Sequence, residues 1–420
     1  MKKLLYVLLP MLMAAFCSTS ITSCAGDDFT ETIFPNTPDV LNTSAFTYPL
    51  DTFCRKNFLD EYNMKFLYKM EDVGADMQKN LVPARYERCC ELAVLTKYMW
   101  YDAYKETVGN NENDGREFLR SYSPRILHVI GSPSYNPTSG TKTLGLAEGG
   151  VKITLLDVNK FSVENLRDQN IFHTMHHEFS HILAQNRTIP VNFRTISNGK
   201  YDPNDWGTAA DSVVLGRGFI SPYASSAYSE DWVEVISYYI TFDSIQWADH
   251  VNSAAYEWEE VAVGVDSFNV ARNKYPNPDY YGYINYKKNN GVASTSGGVT
   301  NQYYIVRKII SRDENNEPIL NEDGTPKFIH NSGVDGKAVI LQKLDICKEY
   351  LKTNFNYDLD KMRDAVQKRM WMTDANGNFI RKKDGTLVNR LLSPDPTDAQ
   401  QRNLIDVLLD GINQYKTINN

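Results

Sequence analysis

Apolar residues recur at helical spacing in two well-separated stretches. In Asn170–Asn186, Ile171, Phe172, Met175, Phe179, Ile182 and Leu183 fall on one side, and no proline or glycine interrupts them. Asn170 suits an N-cap, and Asn186 suits the stop because asparagine tolerates a left-handed conformation. Over 228–240, Trp232, Val235, Ile236 and Tyr239 give the same signature of a buried helix. The longest clean helical pattern runs over 84–108, and others are expected over 51–58, 338–353 and 359–372. Short apolar runs predict strands at 125–130, 143–147 and 151–158, with a further one within 64–70. Strands and helices mix along the chain in a way that predicts an α+β fold with a mainly helical C-terminal part.

Turn residues complete that picture. The stretch between the two apolar helices, 186–217, is rich in Asn, Gly and Asp and is expected as a long loop, the kind that serves as a lid or specificity element. Two similar segments, 312–325 and 373–386, each end in Asp-Gly-Thr and predict β-hairpins inserted among the C-terminal helices. The second, Asp374-Ala-Asn376-Gly-Asn378, departs from a calcium loop: Phe379 stands where glycine is needed and Gly385 where the closing glutamate should be.

The N-terminus has its own pattern. Lys2-Lys3 precedes an apolar run from Leu4 to Phe16, with the length and charge of a signal peptide and too short for a comfortable membrane span. Ile21-Thr22-Ser23-Cys24 resembles a bacterial lipobox, which makes Cys24 the candidate lipidated first residue of the mature chain; Cys17 is the alternative, disfavoured by the bulky Phe16 before it. The Ala25-Gly26-Asp27-Asp28 that follows resembles the surface-export signal of Bacteroidetes lipoproteins. The expected organisation is a leader over 1–23, a polar tether over 24–45, a catalytic core over 46–270 and a helical part with hairpins over 271–420. Composition agrees: 42% hydrophobic and 23% charged residues are ordinary for a folded domain, and a net charge of −8 without any basic run argues against a nucleic-acid partner. Cys54, Cys89, Cys90 and Cys347 are too sparse for a disulfide scaffold.

Chemistry concentrates on the first apolar helix. His177-Glu178-Phe179-Ser180-His181 reads H-E-x-x-H. Residues four apart share a helix face, so both imidazoles can point at one metal ion, with Glu178 beside them as a general base. A catalytic zinc takes three protein ligands and keeps one position open. The third is not a downstream histidine of the H-x-x-G-x-x-H kind, because Ile182-Leu-Ala-Gln-Asn-Arg-Thr follows. The second apolar helix carries Glu230 and Glu234 on one face, and acids on so apolar a helix are costly unless paired or metal-bound. Glu230 is assigned as ligand and Glu234 as the carboxylate orienting His177 or His181; the swapped assignment and Asp231 are the alternatives. His173 belongs to the surroundings of the site, His176 points about 100° away round the helix, and His128 is a sheet residue.

H-E-x-x-H followed by a later E-x-x-x-E helix resembles the gluzincin arrangement. The stretch from Tyr223 to Glu234 resembles anthrax lethal factor-like zincins, in which a tyrosine precedes the ligand glutamate by seven residues. More broadly, from the leader to Ile240 the chain is similar to the zinc-binding metallopeptidase lipoproteins of Bacteroidetes, described as zinc metallohydrolases associated with outer-membrane import systems. That resemblance rests also on Leu50-Asp51-Thr-Phe53, Phe58, Tyr62-Asn63 and Phe66-Leu-Tyr68. It implies a zincin-like fold, Zn2+ as cofactor, a peptide or protein substrate, outer-membrane import proteins as partners, a lipid-anchored place on the outer membrane at the cell surface, with the periplasmic face as the alternative, and Tyr223 as the donor that stabilises an oxyanion, with Tyr228 as the alternate. The competing reading is a non-catalytic glycan- or peptide-binding lipoprotein, which the 26 tyrosines would suit.

Overall fold

A computed structural model of the chain describes residues 41–70, 81–135, 142–143, 145–148, 151–168, 170–263, 283–293 and 299–419. The leader, Cys24 and most of the expected tether lie outside them. Contacts divide the chain after Thr43, and everything below concerns residues 44–420. Among the described residues no helix is long and apolar enough to cross a membrane.

The chain enters through α1 (Tyr48–Cys54), continues as a π-helical turn over Arg55–Leu59, and ends that helix where Asn63 turns left-handed at φ 55°. Strand β1 (Lys65–Leu67) follows. Helix α2 (Tyr86–Leu95) runs on through a π-helical turn at Thr96–Tyr101 to Thr107, and α3 (Glu112–Tyr122) is capped by the side chain of Asn111. Then come β2 (Ile126–Val129), β3 (Gly145–Glu148) and β4 (Lys152–Leu155). These four strands make one sheet in the order β1-β2-β4-β3. The first two pairings are parallel, and β3 runs antiparallel to β4, Gly145 opposite Leu155.

Helix α4 (Asn170–Asn186) lies against this sheet and packs on α7 (Tyr228–Thr241). All six apolar positions of α4 are buried. Phe179 is the centre of an aromatic cluster, edge-on to Trp100 at 4.9 Å and to Tyr104 at 5.1 Å, so the back of α4 is fixed while its other face carries the histidines. Helix α7 is held likewise: Trp232 is fully enclosed between Phe193 and Tyr350. The connection between α4 and α7 is more ordered than a plain loop, since it contains α5 (Val191–Ile196) and α6 (Asp211–Gly216). Residues such as Phe193, Val214 and Leu215 anchor it in the core, an apolar signal obscured by the surrounding polar residues.

After α8 (Ser244–Ser253) the chain forms an antiparallel sheet that the sequence pattern did not announce: β5 (Trp258–Val263), β6 (Tyr283–Ala293) and β7 (Val299–Lys308), in the order β5-β7-β6. Helices α9 (Gly336–Phe355) and α10 (Leu359–Met370) both pack on α7, and α11 (Leu404–Asn413) packs on α1 and α2. The two Asp-Gly-Thr segments are each two consecutive hairpins rather than one. Bridges Arg312–Pro318 and Leu320–Pro326 close with Ile310–Phe328, and the second copy repeats them as Thr373–Phe379, Arg381–Leu387 and Trp371–Asn389. Each Asp-Gly turn places its glycine at positive φ, 80° at Gly324 and 84° at Gly385. The described cysteines Cys54, Cys89, Cys90 and Cys347 are free.

Candidate metal centre

The site is built where α4 meets the start of α7. His177, His181 and Glu230 offer three ligand atoms, all within 4.8 Å of one another. Glu230 Oε2 lies 3.3 Å from His177 Nε2 and 3.2 Å from His181 Nε2. At zinc–ligand bonds of about 2.0–2.1 Å, tetrahedral ligands stand roughly 3.3 Å apart. Two imidazoles and a carboxylate at this spacing therefore fit zinc, with a fourth direction left for solvent or substrate.

Glu234 lies one helical turn beyond Glu230, where its Oε1 accepts from His177 Nδ1 at 2.7 Å and from His173 Nε2 at 3.0 Å. Its Oε2 accepts from Ser221 Oγ at 2.5 Å. A carboxylate can only accept, so His177 carries its proton on Nδ1 and turns Nε2 to the metal position. His173, Glu234 and His177 also cluster closely enough to hold an ion. There, however, His177 would have to give up Nδ1, which already bonds Glu234. Replacing Glu234 by glutamine is expected to weaken zinc binding by about 10–100-fold while leaving the fold intact. A titration against a competing chelator measures this, and an unchanged affinity would show that Glu234 orients nothing.

Electrostatics follow from these contacts. Burial disfavours a charge on His177, but bonds to Glu230 and Glu234 override it and raise its pKa from 6.5 to about 10. Burial likewise opposes ionisation of Glu230, yet His177 and His181 hold its carboxyl at about 2. Glu234 is pushed against by burial and held well below the carboxylate range by His173 and His177. In the metal-free protein His177 is thus protonated at neutral pH. Its raised pKa contributes stability that is complete below 6.5 and fades as pH rises through about 10. A metal needs the neutral imidazole, so zinc uptake at neutral pH should release about one proton from this group and affinity should climb as pH rises towards about 10. Calorimetry in buffers of different ionisation enthalpy counts that proton; no release would contradict the assignment of His177.

Glu178 is 7% exposed, and its charge acts on both His177 and Tyr223. Strand β3 approaches it so closely that a Cβ at Gly145 would stand 2.1 Å from Thr174 Cγ2 and 3.3 Å from Glu178 Oε1. Only glycine fits there. Tyr223 stacks on the His177 ring at 5.9 Å with 39% of its surface exposed. Burial and the charges of Glu230 and Glu178 raise its pKa, keeping the hydroxyl protonated. Tyr228, the alternate donor, is 43% exposed and sits under Arg194.

Three acidic or imidazole side chains lie elsewhere. Asp231, an alternative ligand on sequence grounds, is fully buried on another side of α7 and pairs with Lys343 Nζ at 2.6 Å. His176 bonds Tyr104 through Nδ1 at 3.0 Å, and burial lowers its pKa to about 3. His128 is buried in β2. Sequence reasoning missed Ser221, Lys343 and Trp206. Ser221 falls in the interhelix stretch, whose side-chain directions no local periodicity reveals.

Comparison with known proteins agrees with this geometry. The model of a family described as "Putative zinc-binding metallo-peptidase" matches residues 43–360, and the chain belongs to that family. A solved structure described as a putative zinc-binding metallo-peptidase from Bacteroides caccae is 28% identical, covering 76% of this chain and 91% of its own, with a TM-score of 0.50. No curated protein matches the chain. The expectations of an α+β metallopeptidase fold and of zinc as cofactor stand.

Proposed function

We propose that this zinc-binding family member is a gluzincin-type peptidase, lipid-anchored through Cys24 at the bacterial outer membrane and serving a nutrient-import system. The convergence of His177, His181 and Glu230, with Glu178 buried beside them, carries the catalytic part of the reading. Zinc held by those three side chains would supply Lewis acidity, acidifying a water and polarising a peptide carbonyl. Glu178 takes the proton from the attacking water and delivers it to the leaving amine. The protonated Tyr223 hydroxyl donates to the carbonyl oxygen as negative charge develops. Tyr223 suits this better than Tyr228 because its ring lies against His177. Among the described residues the main sheet ends at β3, whose Gly145 borders Glu178, so an extended substrate would add to that edge.

A buried base next to the metal ligands has no use in a mere binder, which favours hydrolysis over the binding-lipoprotein reading. The test is zinc content together with cleavage of a mixed peptide library by the purified protein, followed by mass spectrometry. One zinc and defined cleavage products are expected; a zinc-loaded protein that cleaves nothing overturns the peptidase reading. The anchor is tested separately by incorporation of labelled fatty acid, which Cys24→Ala should abolish.

A further inference from the structure

We propose that Trp206 and Tyr223 together form an aromatic wall beside the metal centre that selects substrates with an aromatic or large apolar side chain next to the cleaved bond. The inference rests on the peptidase reading above. Trp206 stands in Asp202-Pro-Asn-Asp205-Trp-Gly-Thr208, where every other residue is exposed. Tyr201 and Ala209, at either side of this stretch, pack on the main core. Trp206 is half-buried and meets Tyr223 edge to face, ring centres 5.0 Å apart and planes at 61°. Tyr223 in turn stacks on His177, 5.9 Å between centres and 23° between planes. An indole, a phenol and a ligand imidazole therefore form one continuous row that begins at the metal.

The chain fixes this indole in place. Asp202 N–H donates to Ser225 O at 2.8 Å, tying the stretch to the turn that carries Tyr223. Tyr201 Oη donates to Asp231 Oδ2 at 2.9 Å, tying it to α7 next to Glu230. Asp205 N–H donates to Asp202 Oδ1 at 3.0 Å and Thr208 N–H to Asp205 O at 2.9 Å, so Trp206 follows one hydrogen-bonded turn and lies within a second. A large aromatic ring pinned beside a reactive centre and left half open is suited to accept an apolar group, since rings offer contact area at little cost in conformational freedom. Asp202 and Asp205, both exposed, precede Trp206 on the same short stretch, so an acidic side chain brought to it would meet like charge.

The experiment uses the zinc-loaded full chain and pairs of peptide hydroxamates identical except for phenylalanine or glycine beside the zinc-binding group, on each side of it in turn. Dissociation constants and zinc content are measured for wild type, Trp206→Ala and Trp206→Phe. Wild type should favour the phenylalanine ligand by about tenfold on one side. Trp206→Ala should lose that preference with the glycine ligand unaffected, and Trp206→Phe should keep most of it. A preference that survives Trp206→Ala, an equal weakening of both ligands, or a wild type that binds both alike would each overturn the inference while leaving the peptidase reading intact. A zinc-loaded wild type that binds neither ligand overturns both.

Discussion

Glu178→Gln is expected to retain its zinc and to lose about 10²–10⁴-fold in kcat, with KM little changed. Glutamine has nearly the same shape, and the side chain is buried with Gly145 close beside it, so the substitution leaves the packing as it was. What it removes is the capacity to take and return a proton. That capacity is used only as the reaction proceeds, and its loss therefore falls on kcat rather than on substrate binding. The same variant should leave the metal alone, because the side chains that could hold it are His177, His181 and Glu230. Steady-state kinetics on a cleaved peptide, with zinc measured in the same samples, decides the matter. Near-normal turnover would place the base elsewhere. A parallel loss of zinc would instead show Glu178 supporting the metal.

The parts of the site that depend on one local period were legible from the sequence. His177 and His181 lie four apart on α4, Glu230 and Glu234 four apart on α7, and each pair faces the other because the remaining faces are apolar and buried. Helix and strand positions in the core emerged from the same alternations. Other features depend on residues distant in sequence. Asp231 is adjacent to Glu230, and its sequence neighbourhood fits a ligand equally well; only the packing of α9 shows that Lys343 claims it. The sheet of β5, β6 and β7 pairs strands whose polar and apolar residues keep no clean period. Trp206 is a single aromatic residue in a polar stretch, and nothing local tells whether such a residue turns inward or toward the metal centre.

Lys343→Met is expected to lower the unfolding free energy by about 3–5 kcal/mol, read by urea denaturation. Lys343 and Asp231 are both completely buried, 2.6 Å apart. The ammonium also donates to Gly218 O at 2.7 Å and lies 4.3 Å from the centre of the Phe219 ring. Burial pushes the Lys343 pKa down and the Asp231 pKa up, each held back by the other's charge, so neither ion is comfortable alone. Methionine fills most of the lysine volume, and the cost therefore comes from leaving the Asp231 carboxylate with Tyr201 as its remaining hydrogen-bond partner. A double variant separates two explanations. If the pair itself supplied the stability, Lys343→Met with Asp231→Leu would be as unstable as the single variant. If the stranded charge is the cost, the double variant should recover most of the loss, since apolar replacements of buried ion pairs are close to neutral. The pair joins α9 to the helix that carries Glu230 and, through Gly218, to the segment leading to Ser221 and Tyr223. The double variant should accordingly bind zinc less uniformly even where its stability is restored, because the hydrogen bonds that set the register between those three segments are gone while the apolar contacts remain.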